Sequence, residues 1–330
     1  MTNRIQKIIV ILIVAATQSC NIGTSGTWKN ENIKQEKREQ IKELNDKLFK
    51  AIINKDVEVV KLLMSKTLLE KGTGDLSQLL DQVSSSIKTE SYRVLDEYNV
   101  YNTAKGIGNT LLSGVTGDND YQVNYQALNE EMYASLLIPN SPYNELLITI
   151  IYGNYGSEWK INILQFGQYS IFKKTSIDYY KLAKDSYDKS FLIDAVNYIG
   201  ISKQCLKPAN NFFKYQKEGE VNEFYNKVMK EANTRFHFPL ALDNIKTKPR
   251  VFRIYPEATD NGFCPMVLYL SNINLKDTTA LKVENEKIRK EISLVFTGID
   301  KEKKFVFYRA FNEIPDGKRQ IDHYGFVDKR

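Results

Sequence analysis

The chain has 330 residues, of which 42% are hydrophobic and 26% charged, and its formal net charge is +6 at neutral pH. This composition is that of a globular protein, and the length is sufficient for two or three domains. The basic excess is small and forms no stripe of Lys and Arg, which argues against nucleic acid as a partner.

Residues 1–19 have the organisation of an export signal. Arg4 and Lys7 precede an uncharged run from Ile8 to Ala16. A helix that crosses a bilayer needs roughly 20 apolar residues, so this run is too short to span one. We therefore expect the segment to be removed rather than retained.

The signal ends on Thr17-Gln18-Ser19-Cys20, a small residue followed by a cysteine. This sequence resembles the lipobox of bacterial lipoproteins, although Thr17 stands where that family usually has an aliphatic residue. The resemblance implies cleavage before Cys20, acylation of Cys20, and anchoring in a bacterial cell envelope. We expect the outer membrane, with the protein facing the periplasm or the surface; a plain signal peptide and an uncleaved anchor are the alternatives.

Residues 20–30 are polar and carry Gly, Ser and Thr, which is typical of a short flexible tether. Trp28 within this segment would either rest at the membrane interface or dock on the folded domain. The sequence favours neither.

Three helices are predicted next. Apolar residues recur at multiples of three and four from residue 31 to Ile52. Asp56 can cap a second helix that ends at Gly72, and a third spans Leu76 to Ile87. Glycines between residues 106 and 117 then predict a loop.

After this loop the apolar period changes to two, which indicates β-strands. Four strands are predicted to form one antiparallel meander, in runs that begin at Tyr121, Met132, Leu147 and Trp159. The segment from Gly153 to Gly156 is predicted to join the last two.

The element order resembles the cone-shaped nuclear transport factor-like fold over residues 31–172. Two short sequence segments contribute to the resemblance, Leu48-Phe-Lys-Ala-Ile-Ile-Asn-Lys-Asp56-Val-Glu and Glu158-Trp159-Lys-Ile-Asn-Ile163. It implies an α+β domain in which N-terminal helices pack on a curved antiparallel sheet. Members of that superfamily include enzymes, ligand binders and scaffolds, so the fold alone assigns no function.

Residues 173–247 are predicted to be helical. Over 176–208 the spacing of aromatic and small residues resembles one tetratricopeptide hairpin ended by Pro208, and a further helix spans Val221 to Phe236. A single copy is below the three or so that form a solenoid. We expect a hairpin that bridges two domains, with a peptide-binding groove as the alternative.

Residues 248–330 are predicted to form a second, smaller α+β domain. Strands are expected at Val251–Tyr255, Met266–Leu270 and Lys304–Phe311. An amphipathic helix begins near Leu281, and Gly298 can terminate it in a left-handed cap.

Residue types that carry chemistry are sparse. The two histidines, His237 and His323, lack metal-site spacing and no Gly-x-Ser-x-Gly elbow is present. Asp118-Asn119-Asp120 lacks the Gly and Glu that a calcium loop requires. No catalytic residue, cofactor or metal ligand is predicted, and Cys205 and Cys264 are expected to be buried free thiols.

Aromatic side chains crowd around the predicted meander and are the remaining candidates for a binding site. Aromatic rings supply apolar faces with a polar tip, so they can line a pocket. Strands also favour aromatic residues for packing alone. The candidate pocket residues are Tyr143, Tyr152, Trp159 and Tyr169.

The leading functional hypothesis is a lipid-anchored, extracytoplasmic binding or interaction protein without catalytic activity. Its partners would be the membrane and an unidentified protein or small molecule. One alternative is an enzyme that uses Asp, Glu or Tyr in an open cone pocket; a pocket filled by side chains would exclude it. The other is an assembly or adaptor subunit that binds through Tyr180–Pro208, which requires an exposed apolar patch there.

Overall fold

The computed structural model describes residues 24–72, 74–260 and 262–330. The lipobox residues Thr17 to Cys20 lie outside this range. The described residues form a mixed α+β structure that divides into two compact units. The first unit contains residues 24–173 and 205–216, and the second contains residues 174–204 and 217–330.

Eight helices are present in the described part of the chain. They are α1 (Gln35–Ile53), α2 (Val57–Leu63), α3 (Lys66–Glu70), α4 (Leu76–Ser86), α5 (Ser176–Asp188), α6 (Leu192–Gln204), α7 (Glu218–Arg235) and α8 (Thr278–Val295). The strands are β1 (Thr24–Lys29), β2 (Tyr92–Asn102), β3 (Gly108–Leu112), β4 (Tyr121–Gln126), β5 (Glu131–Pro139), β6 (Glu145–Asn154), β7 (Trp159–Ile171), β8 (Lys174–Thr175), β9 (Phe213–Tyr215), β10 (Leu240–Ala241), β11 (Arg250–Thr259), β12 (Gly262–Leu270), β13 (Phe305–Phe311) and β14 (Tyr324–Lys329).

The helices α1 and α4 confirm the first and third predicted helices. Asp56 caps α2 as expected, since its carboxylate accepts a hydrogen bond from the Val59 amide at 3.0 Å. The predicted second helix is wrong in extent, because it is interrupted after Leu63. There the Ser65 amide donates to the carbonyl of Ile161 at 2.9 Å, and the Ser65 side chain caps α3.

Five strands of the first unit hydrogen-bond side by side in the order β1-β2-β5-β6-β7 and form a curled antiparallel sheet. The predicted meander is correct for β5, β6 and β7. It is wrong for β4, which pairs with β3 and β9 in a separate three-stranded sheet. The neighbour of β5 is instead β2, which the sequence pattern did not reveal.

Two segments predicted to be irregular are strands. Within the expected tether, Thr24–Lys29 pairs with β2, and Trp28 docks edge-on against Tyr101 at a ring-centroid distance of 5.5 Å. Within the expected glycine loop, Gly108–Leu112 forms β3. Both strands are short and rich in Gly, Ser, Thr or Asn, so their pairing depends on partners distant in the sequence.

Both faces of the curled sheet are covered. On one face, α1 and the shorter helices pack on β5, β6 and β7 in a cluster that includes Leu48, Ile52 and Ile150. On the other, the β3-β4-β9 sheet contacts β2, and the Tyr121 hydroxyl donates to Asp96 at 2.5 Å. The central strand β5 is consequently buried along nearly its whole length.

The second unit contains the predicted helical hairpin, α5 and α6, together with α7. Its sheet has the order β10-β11-β12-β13-β14, and α8 joins the parallel pair β12 and β13. One further strand, β14, follows the predicted last strand. Residues 174–204 and 217–330 share this compact unit, in which Lys303 pairs with buried Asp194 at 2.7 Å.

The prediction of two buried free thiols is confirmed, since Cys205 and Cys264 are both buried and free. Burial raises the pKa of the Cys205 thiol to about 12, which keeps it protonated. None of the helices in the described part of the chain combines the length and apolarity that a membrane crossing needs.

Gly298 lies two residues beyond Phe296, the C-cap of α8, rather than at the predicted cap position, and two features require a glycine there. Its φ is +83°, and an added Cβ would lie 2.0 Å from the ring of Phe191. We expect Gly298→Ala to lower the free energy of unfolding by about 2 kcal/mol. Chemical denaturation would measure this. The control, Gly219→Ala in α7, has open space around the added Cβ and should raise stability by roughly 0.5–1 kcal/mol; equal effects would contradict the interpretation.

Candidate functional site

An open cavity of about 790 Å³ lies between the first half of α1 and the first half of β2. We call it the α1–β2 groove. It is lined by Glu31, Ile33, Gln35, Arg38, Glu39, Lys42, Asn45, Asp46, Glu90, Ser91, Tyr92, Val94 and Glu97. Its volume is within the range of small-molecule sites.

The floor of the groove is a buried carboxylate, Glu97 of β2, which is 7% exposed. Arg38 of α1 donates from Nε to Oε1 at 2.6 Å, and Tyr133 of β5 donates its hydroxyl to Oε2 at 2.6 Å. The hydrogen bond to Glu97 raises the pKa of Arg38, which holds the guanidinium in its charged form. Glu97 therefore joins α1, β2 and β5 with both oxygens occupied.

The rim is formed by a second carboxylate, Asp46 of α1. Tyr92 donates its hydroxyl to Oδ1 at 2.5 Å, and Lys42 donates to Oδ2 at 2.5 Å. Burial opposes ionisation of Asp46, but the bonds from Lys42 and Tyr92 outweigh it and lower the pKa of Asp46. Burial raises the pKa of the Tyr92 hydroxyl, and the neighbouring Asp46 carboxylate raises it further, so this phenol stays neutral.

The groove does not continue into the space between α1 and the centre of the sheet. Asn45 closes it, donating to the Ser135 hydroxyl at 3.1 Å and accepting from the Tyr152 hydroxyl at 2.8 Å. Tyr133 and Tyr152 are fully buried behind Asn45. Side chains thus fill the inner face of the sheet, and open volume is left at its margin.

A further ion pair fixes α1 on the sheet beyond the groove. Lys37 donates to Glu131 of β5 at 2.8 Å, with its ammonium 4.9 Å from the centre of the Trp159 ring. Asn154 donates to the other oxygen of Glu131 at 2.7 Å. Burial works against the charge of Glu131, but the bonds from Lys37, Tyr101 and Asn154 lower its pKa.

The groove carries an acidic excess. Five carboxylates and two basic side chains line it, so its formal charge is −3. Glu97 and Asp46 are occupied by the contacts above, whereas Glu31, Glu39 and Glu90 are exposed to solvent. Ile33, Tyr92 and Val94 supply apolar surface between the charges.

The four aromatic residues proposed from the sequence lie elsewhere than the α1–β2 groove. Tyr152 and Trp159 are in the packed core, with the Trp159 Nε1–H donating to Gln40 at 3.0 Å. Tyr169 is also buried, at 8% exposure. Tyr143 is 53% exposed in the turn between β5 and β6.

Other chemistry-bearing residues are separate from the groove. Among the residues that the structure describes, no group of three or more His, Cys, Asp or Glu is placed to hold a metal ion. His323 lies against the ring of Phe311. Asp120 accepts from the Gly117 amide and the Ser113 hydroxyl, which makes residues 113–120 a turn.

The residues of β2, which form one wall of the groove, were not predicted from the sequence. In Tyr92–Asn102 polar residues face both sides of the sheet, because Asp96 and Glu97 are both buried and hydrogen-bonded. The apolar alternation that marks a strand is therefore hidden. Adjacent acids followed by Tyr-Asn-Val-Tyr, rich in strand-forming residues, were the available signal.

Comparison of the chain with protein-family models, with curated proteins and with solved structures finds no match. The resemblances to a lipobox, a nuclear transport factor-like cone and a tetratricopeptide hairpin remain predictions from the sequence.

We expect Tyr133→Phe to lower the free energy of unfolding by about 1–3 kcal/mol, because Oε2 of the buried Glu97 would lose its hydrogen-bond donor. Chemical denaturation monitored by circular dichroism would measure the loss. Tyr143→Phe is the matched control and should change stability by less than about 0.5 kcal/mol, since this residue is exposed. Equal losses in both variants would contradict the role assigned to Tyr133.

Stability should fall in acid. The pKa of Glu131 in the folded protein is below its ordinary value of 4.5, so its stabilising effect is complete above that value. The effect is lost as the pH falls through the lower, folded pKa. Glu131→Gln should therefore flatten the loss of stability below about pH 4.5, measured by denaturation at a series of pH values.

The matched control for the acid experiment is Glu43→Gln, an exposed position on α1. It should keep the pH dependence of the wild-type protein. An unchanged acid profile in Glu131→Gln would show that Lys37, Tyr101 and Asn154 do not stabilise this carboxylate.

Proposed function

We propose that the protein is a lipid-anchored, non-catalytic binding protein of a bacterial cell envelope, and that the α1–β2 groove holds a cationic ligand. The anchoring part rests on the lipobox-like sequence at Thr17 to Cys20. The binding part rests on one observation, the open groove with exposed carboxylates around an apolar surface.

The chemistry of the groove supports binding rather than turnover. Both oxygens of Glu97 already accept hydrogen bonds from the chain, and Asp46 is held ionised by Lys42 and Tyr92. A general acid or base needs a proton that it can exchange near neutral pH. The exposed carboxylates of Glu31, Glu39 and Glu90 would instead recognise an amine or guanidinium group.

We further propose that the first unit has the cone-like arrangement of the nuclear transport factor-like fold, with the curled sheet packed around α1. An enzyme of that fold would need an open pocket on the inner face of the sheet. Tyr133, Tyr152 and Trp159 occupy this face, which does not favour the enzymatic alternative. The binding hypothesis needs no such interior pocket.

The adaptor alternative requires an apolar patch on the hairpin. Every exposed residue between 176 and 204 is polar; these residues are Lys181, Lys184, Asp185, Asp188, Lys189, Ser190, Lys203 and Gln204. A peptide-binding surface of the expected kind is therefore not supported on α5 and α6. This leaves the groove of the first unit as the preferred site.

The anchoring proposal predicts the mass and location of the native protein. Wild type should have a mature mass that begins at Cys20 plus acyl chains, and it should fractionate with membranes. Cys20→Ala should lack the acyl mass and move to the soluble fraction or remain unprocessed. An unacylated wild-type protein, measured by intact mass spectrometry, would contradict the proposal.

If the binding proposal is correct, the protein binds a cationic probe such as tetralysine with an affinity that depends on the charge of the groove. We expect the double variant Glu39→Gln/Glu90→Gln to bind it about fivefold more weakly, since each exposed ion pair contributes about 0.5 kcal/mol. The affinity should also fall with added salt. Isothermal titration calorimetry would measure both effects.

The control for the binding experiment makes the same change of charge outside the groove. Glu43→Gln/Glu58→Gln removes two exposed carboxylates that do not line it. This variant should keep nearly the wild-type affinity. Equal weakening in the two double variants would mean that tetralysine responds to the overall charge of the protein rather than to the groove.

A further inference from the structure

We propose that one end of the first unit lies in the interfacial layer of the bilayer. This anchor-side end is defined by Trp28, Tyr101 and Tyr155. The inference rests on the proposed acylation of Cys20 and goes beyond it, because it names the surface that contacts lipid. The occupant to which we commit is the headgroup region of a phospholipid bilayer.

The chain between the proposed anchor at Cys20 and strand β1 is short. Thr24, the fourth residue after Cys20 in the sequence, pairs with Asn102 of β2. Four extended residues span at most about 14 Å. An acylated Cys20 would therefore hold the edge strand β1 against the membrane surface rather than on a long tether.

The strand register identifies the end of the sheet nearest the anchor. Thr24 is opposite Asn102, and the preceding residue, Tyr101, is opposite Glu131 at the beginning of β5. The turn between β6 and β7, which carries Tyr155, is at this same end. The turn with Tyr143 is at the opposite end, beyond the nine residues of β5 or about 30 Å away.

The anchor-side end carries three partly exposed aromatic side chains. Trp28 is 43% exposed, Tyr101 37% and Tyr155 43%. Tryptophan and tyrosine favour the membrane–water interface, where an apolar ring meets lipid and a polar group stays hydrated. Three half-exposed aromatic residues close to a lipid anchor match this preference.

Trp28 is held in place rather than hanging from a mobile segment. Its ring lies over Gly26, where an added Cβ would be 2.3 Å from the ring, and it meets Tyr101 at an interplanar angle of 89°. Beside it is a cleft of about 330 Å³ that Ile33 and Lys34 also line. The exposed ammonium of Lys34 suits the phosphate of a headgroup.

The position of Ile33 connects this surface with the proposed function. Ile33 lines both the cleft beside Trp28 and the α1–β2 groove. From Ile33 the groove extends along β2 away from the anchor-side end, because Tyr92 pairs with Pro139 at the far end of β5.

The test is quenching of tryptophan fluorescence by brominated lipid. Acylated full-length protein is reconstituted into vesicles of phosphatidylethanolamine and phosphatidylglycerol with or without bromine on the acyl chains. The chain contains two tryptophans, Trp28 and the buried Trp159. We expect the brominated lipid to quench the Trp28 share of the wild-type emission and to leave Trp28→Phe unquenched.

A matched control places an exposed tryptophan at the far end of the same sheet. Tyr143 is 53% exposed, so Trp28→Phe/Tyr143→Trp presents an indole with similar access to solvent. This double variant should not be quenched. Circular dichroism of each variant would verify folding before reconstitution.

The outcomes separate the two proposals. If the intact mass shows acylation but wild type and Trp28→Phe are quenched equally or not at all, the membrane-facing surface is wrong and the anchored function stands. Quenching of the Tyr143→Trp indole as strong as that of Trp28 would also overturn it. If the mass shows no acyl chain, the anchored function fails and this inference fails with it.

Discussion

The structure of the first unit depends on the need to bury both faces of one curled sheet. Strand β5 is apolar on both sides, as is most of β6, so neither can be exposed to water without a large loss of hydrophobic free energy. Helix α1 covers one face, and the small β3-β4-β9 sheet covers the other. Large aromatic side chains fill the inner face, and the open volume of the α1–β2 groove lies at the margin that the polar strand β2 forms.

This margin explains why the groove is charged. Strand β2 places Asp96 on the face toward β4 and Glu97 on the face toward α1, and each buried acid requires its own donors. Satisfying Glu97 with Arg38 and Tyr133 fixes the distance between α1 and β2. The exposed carboxylates on either side of this fixed floor then give the groove its negative charge. Glu97 is thus paired within the protein, whereas the neighbouring exposed carboxylates are the ones proposed to bind a cation.

The sequence predicted the helices better than the sheets. The apolar period of α1, the Asp56 cap and the hairpin α5–α6 are local signals, and the structure contains all of them. Strand pairing is not local: β4 has the same alternation as β5 yet joins β3 and β9, which lies almost ninety residues further along the chain. The groove was not predicted, because its wall β2 carries buried acids in place of apolar residues. The aromatic residues that suggested a pocket, Tyr152 and Trp159, serve packing instead.

The central claim is that a ligand occupies the α1–β2 groove and not the inner face of the sheet. The most direct test is a comparison of amide and indole NMR spectra of deuterated protein with and without tetralysine. The account predicts shifts at the amides of Tyr92, Val94 and Glu97, while the indole N–H of Trp159, bonded to Gln40 in the core, stays unchanged. A shift of the Trp159 indole with unchanged β2 amides would contradict the account and place the ligand at the inner face of the sheet.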